Sequence, residues 1–306
     1  RRPPPPGKGG RAKKPPPVDH PPVVRKSAPP LSPPRIKPPT EEQLEYLRPR
    51  IVDALGMGNN VPAAQRLDLL HGIEGALSED ECQALMNELL KPRPAGVAEE
   101  WFAEYMHEIC LLLGREESIR TDFARILASL AGDMKRDEVI RDYSLQHLRL
   151  LWEKADRPLR ASISSSFASM VTSGDPAIAP SALLSLHLLG SGMNMSVKPG
   201  EVPPAADGLS FSIPNSDIEP LVADMLSRPP DASNTVARMT AARVARERKI
   251  TSLSPKLRQV AANTGGEHAV VRMAAIAALA KSGDATDLEF IKTLDRKDPR
   301  IESAIL

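Results

Sequence analysis

Aromatic side chains make up only 3% of this 306-residue chain. A core so short of Phe, Tyr and Trp must be filled by Leu, Ala, Val, Ile and Met. Closely stacked helices accept that filling better than sandwiches or barrels, which lean on aromatic and β-branched residues. Cysteine is nearly missing as well. Cys82 and Cys110 make no disulfide framework and read as two unpaired thiols. No run approaches the roughly eighteen apolar residues of a membrane span. The chain lacks an initiator Met and stops at Leu306 a turn or two into a helix. Both ends therefore read as cut, and a signal peptide or anchor upstream would be invisible.

Catalytic and cofactor signatures are scarce too. His107-Glu108-Ile109-Cys110 starts like a zinc-protease helix, but position 111 is Leu where a second histidine is needed. His107 and Cys110 still form an i, i+3 pair, yet no second pair supplies the other ligands zinc requires. Gly56-Met57-Gly58-Asn59-Asn60 lacks the third glycine and the preceding strand of a dinucleotide loop. Ser164-Ser165-Ser166 has no nucleophile-elbow context and reads as a polar face or a close helix contact. His147 and His187 fall within helices, where a hydrogen-bonded, partly buried imidazole is the ordinary explanation. The reading is of a chain with no catalytic residues, no cofactor and no metal.

What is present begins with charge asymmetry. The net charge is +1, but residues 1–40 hold ten Lys/Arg against Asp19 alone, giving +9 and leaving −8 for the remainder. Residues 1–40 also carry 15 of the 31 prolines. Proline fixes φ and removes donors, so this stretch reads as a disordered, extended basic tether. Pro30-Leu31-Ser32-Pro33-Pro34-Arg35 matches PxxPxR, a pattern that docks in aromatic-lined grooves, although a spacer this rich in proline also produces it by chance.

Order is expected from Thr40, which forms a capping box with Gln43 ahead of Leu44, Leu47, Ile51 and Leu55 on one face. Gly56 and Gly58 end that helix. Pro62 opens another, and Ser78 with Glu81 caps a third that ends at Lys91-Pro92. Residues 41–95 thus read as N-terminal helical hairpins or a cap.

A register then appears. Phe102, Met106, Cys110 and Leu113 align with Ile140, Ser144, Leu148 and Leu151, and these with Ile178, Ala182, Leu186 and Leu189. Residues 191–216 break the period as an irregular, Gly/Pro/Ser-rich insertion, either a binding loop or a mobile excursion. Ala237, Ala241 and Ala245 resume it, followed by Val271, Ala275 and Leu279, then Ile301 and Ile305. Second helices are expected at Ile119–Leu130, Leu159–Val171, Ile218–Leu226, Pro255–Ala262 and Leu288–Leu294. In HAVVRMAAIAALAKSG (268–283) only Arg272 and Lys281 clearly want water, so this helix must be covered on two sides. Repeats of 30–40 residues built from two helices mark an α-solenoid.

HAVVRMAAIAALAKSGD with DLEFIKTLDRKDP resembles a HEAT repeat of the short bacterial, phycobilisome-lyase-like type, and NTVARMTAARVA and DEVIRDYSLQHLRLL are weaker copies. Arg141, Arg238 and Arg272 match the arginine after the anchor in the family pattern, whereas Ala179 and Glu302 depart from it. The resemblance is clear over 232–306, fair over 99–190 and general over 41–95. It implies an all-α HEAT-like superhelix over 96–190 and 217–306, with the last repeat truncated. It also implies a scaffold that binds proteins and carries no chemistry. The second helices are assigned to the inner face, where Arg125, Ser165, Asp224, Arg258 and Lys292 would line a partner groove.

Mixed charge there suits a polypeptide, because a polyanion wants one sign throughout. Nucleic acid therefore ranks below protein, and membrane association would need an anchor outside these residues. The alternative is a helical-repeat enzyme, or an enzyme-associated protein, acting on a cofactor or nucleic acid.

Overall fold

The computed structural model describes residues 28–34, 36–58, 61–191, 212–295 and 297–305. Among these residues the secondary structure is helical, with no strand. Four helices precede the register: α1 (Glu41–Glu45), α2 (Pro49–Ala54), α3 (Ala63–His71) and α4 (Glu79–Leu90). Then come α5 (Glu99–Leu113), α6 (Arg120–Gly132), α7 (Glu138–Lys154), α8 (Arg157–Thr172) and α9 (Ala179–Leu188). After residues 192–211 follow α10 (Asn215–Ser227), α11 (Thr235–Arg248), α12 (Ser254–Ala262), α13 (Ala269–Ser282), α14 (Ala285–Lys292) and α15 (Pro299–Ile305).

The helices form two rows. Each odd-numbered helix from α5 to α15 packs on the next odd one, and each even-numbered helix from α4 to α14 on the next even one. The expected anchors face the seam between rows. Phe102, Leu113, Leu148, Ala182, Ala241, Val271, Ala275 and Ile301 are all buried in one connected apolar cluster. α13 is covered by α11, α12, α14 and α15, as its nearly all-round apolarity requires.

Both expected capping boxes form, Thr40 with Gln43 and Ser78 with Glu81. One helix was nevertheless read where there are two. Pro49 has no N–H to donate and forces Arg48 into an extended conformation, so the stripe from Leu44 to Leu55 is broken into α1 and α2. Gly56, at φ 66°, turns the chain out of α2.

Arg272 does not reach water. Its side chain is buried, and Nε donates to the carbonyl of Ala261 at the end of α12 (2.9 Å). The other two anchor arginines do the same. Arg141 donates to Ala131 O at the end of α6 (3.0 Å), and Arg238 to Leu226 O in the last turn of α10 and to Arg228 O at its C-cap. Each thereby satisfies carbonyls that a helix end leaves without partners. Arg141 also pairs with buried Asp175, and Arg238 with buried Glu267, acids that stand at the start of the following repeat. The arginines thus bolt one repeat to the next.

Ala179 stands where that arginine would be in α9, and the next joint is fastened from the opposite side. Arg248 at the end of α11 donates to His187 Nδ1 (2.9 Å) and to His187 O (2.8 Å). It also donates to Ile213 O (2.6 Å), just after the chain resumes. The Ser212 N–H meets Leu189 O (3.1 Å), so α9 and α11 pack as neighbours across 192–211. Most of the expected insertion therefore lies outside the described residues.

The tether shortens. Residues 1–27 and Arg35 lie outside the described residues, but the remainder of 28–39 runs along the even-numbered helices. Within the extended basic tether expected over 1–40, Leu31 and Ile36 pack on the core cluster.

Candidate functional site

Polar side chains on α4 and α8 take hold of this segment. On α8 the Ser165 hydroxyl donates to Ala28 O (2.6 Å), and Ser166 Oγ accepts from the Leu31 N–H (2.9 Å). Ser166 is itself buried and donates to Ser162 O one turn back (3.0 Å). On α4, Gln83 Nε2 and Asn87 Nδ2, one helical turn apart, both donate to Lys37 O (2.6 and 2.8 Å). All four bonds end on main-chain atoms of the segment. α6 lies between the two gripping helices.

A cleft of about 430 Å³ opens beside Pro30 and Leu31. Its walls include Ala128 and Ala131 of α6, Ser169 and Met170 of α8, and the Arg141–Asp175 pair. The lining is mostly apolar, with a few polar groups among it, a composition that suits an apolar side chain.

The five residues expected to line a groove sit on α6, α8, α10, α12 and α14, successive members of the even row. Ser165 alone among them touches the segment. The charged ones are paired locally: Arg125 with Asp122 (3.0 Å), Asp224 with Arg228 (3.5 Å) and Lys292 with Glu289 (2.7 Å). Arg258 has a structural task. Its Nε lies 2.5 Å from buried Asp287, whose carboxylate also accepts from Ser254 and closes the capping box at the start of α14.

Sequence reasoning does not find Gln83 and Asn87. It gives Ser166 only as part of a polar face or close helix contact, and the PxxPxR match over 30–35 does not say that the segment docks on this chain. Two apolar residues, Leu31 and Ile36, isolated among prolines, were the available signal.

Groups with possible chemistry are mostly engaged elsewhere. The His107 Nδ1 and His147 Nε2 atoms share a hydrogen bond of 2.9 Å, so His107 turns to α7 rather than to Cys110. Burial, with His107 beside it, holds the His147 imidazole down at about 4. Burial pushes the Cys82 thiol up to about 12 and raises Cys110 as well, so neither is a ready nucleophile. Among the described residues no three His, Cys, Asp or Glu side chains come together as metal ligands. No helix there is long and apolar enough to cross a membrane.

No protein-family model matches the chain, and no curated protein matches it. Among solved structures it is similar to human deoxyhypusine hydroxylase in complex with glycerol, at 15% identity and a TM-score of 0.33, over 83% of this chain and 93% of that one. That protein is an enzyme, and the expectation that this chain is not one is corrected on that finding. At this degree of likeness the match lends the chain no reaction.

Proposed function

We propose that this chain is a HEAT-like α-solenoid whose even-numbered helices form an inner face that binds extended polypeptide. One observation carries the reading. A stretch of extended chain, residues 28–34 and 36–39, already lies on the even-numbered helices and is held through its backbone by Ser165, Ser166, Gln83 and Asn87. Backbone capture with pockets for occasional side chains is the recurring physics of peptide recognition. The locally neutralised charges on α6, α10 and α14 favour the same class of ligand. A polyanion would need a row of free cations. On this reading Arg125, Ser165, Asp224, Arg258 and Lys292 border the groove, with Arg258 held back by Asp287.

The test is an array of immobilised extended dodecapeptides, with and without proline, probed with the full chain and with its Ser165→Arg variant. Selective retention that Ser165→Arg abolishes is expected. Retention of no peptide, or retention indifferent to Ser165→Arg, overturns the reading.

A further inference from the structure

Residues 28–39 are part of this chain, yet they meet the even-numbered helices as a ligand would. None of the described residues among them is buried, although Leu31 and Ile36 pack on the core cluster. Half of the twelve are proline, which presets an extended conformation and lowers the entropy lost on docking. Leu31 to Lys37 is six residues, about 19 Å at ~3.1 Å per residue. Two steps between neighbouring packed helices are roughly 16–20 Å. An extended chain therefore bridges α8 and α4 across α6 with little slack.

The bonds go to the carbonyls of Ala28 and Lys37 and the amide of Leu31, and proline at the intervening positions would disturb none of them. Selectivity then falls to two apolar positions five residues apart, Leu31 and Ile36. The first does not fill its surroundings, since a cleft of about 430 Å³ stays open beside it.

We propose that residues 28–39 are a tethered occupant of the groove that a partner must displace. The partner is another protein's extended, proline-rich segment with apolar anchors five residues apart, the first of them bulkier than leucine. This rests on the polypeptide-binding reading above. A weakly buried, covalently attached occupant acts as a threshold: it faces the groove at an effective concentration of the order of millimolar, so only a better-fitting segment enters.

The experiment uses the full chain and a fluorescent synthetic peptide of residues 28–39, together with a copy carrying Leu31→Trp. Both are titrated into the wild type, into Leu31→Asp and into Leu31→Asp/Ser165→Arg. Circular dichroism confirms that the proteins are folded, and Leu31→Ser serves as the milder release variant. The peptide is expected to bind Leu31→Asp on the order of tenfold or more tighter than the wild type. The Leu31→Trp peptide is expected to bind more tightly again, and Ser165→Arg to remove both.

Equal affinity for wild type and Leu31→Asp would overturn the threshold and leave the groove reading standing. No binding to Leu31→Asp, while array peptides still bind in a Ser165-dependent way, would sink this inference alone. Silence in both experiments sinks both. A wild-type dimer that becomes monomeric with Leu31→Asp would show the segment exchanged between copies, which also overturns the tethered assignment.

Discussion

Arg141 illustrates what a single side chain carries in this molecule. It is buried, caps the end of α6 and neutralises Asp175, so Arg141→Ala leaves a buried carboxylate without its partner. A loss of about 3–5 kcal/mol is expected in chemical unfolding. Arg125→Ala, which removes an exposed i, i+3 pair, is expected to change stability by less than ~0.5 kcal/mol. The arginine positions were legible from the repeat, but their environment was not. Arg272 has the same spacing as Arg141 and was still read as solvent-facing, because spacing does not show that a carbonyl waits at the end of the previous helix.

His147 sets a pH dependence. Its folded-state value of about 4 lies below the ordinary 6.5, so between those values the unfolded chain binds the extra proton and stability falls as pH falls. The loss amounts to on the order of 3 kcal/mol. Unfolding curves across pH 7 to 4 should show it, and His147→Gln should flatten that part of the profile.

At the level of helices, α13 is the most tightly enclosed element. Ala275 and Ala278 are both fully buried, with helices on several sides. Ala275→Leu is expected to overpack and cost roughly 1–3 kcal/mol, read as a lowered melting temperature. α14 depends on a different device. Asp284 caps it, and Asp287 closes the capping box and anchors Arg258. Arg258→Glu should therefore lower the melting temperature as well, although by sequence alone Arg258 is placed among residues lining a partner groove. Helix existence and the buried stripe were readable because apolar periodicity reports burial directly. The break at Pro49 shows where that signal fails: Leu47 and Ile51 are both buried, one on each side of it.

For the whole molecule, the register makes legible which helices pack as neighbours. The occupant of the even-numbered face was not legible. Proline-rich composition says that a segment will be extended, and it does not say whether anything nearby offers matching donors. Gln83, Asn87, Ser165 and Ser166 come from helices far apart in sequence, and only packing aligns them. Leu31→Asp is accordingly expected to lower the melting temperature by a few degrees and to accelerate amide exchange at residue 31.

The joint between α9 and α11 has a mechanical consequence. Arg141–Asp175 and Arg238–Glu267 are buried ion pairs that join neighbouring helices. The His187 contact is conditional, for its Nδ1 can accept from Arg248 only while the ring is neutral. Burial lowers the His187 value, so this bond holds at neutral pH and is lost in acid, while the Arg248 bonds to His187 O and Ile213 O remain and the joint is softened. Pulled from its two ends in an optical trap, the array should yield first at that point when the buffer is acidified. It would then behave as two stiff rods on an acid-softened spring, and His187→Gln should blunt the change in compliance.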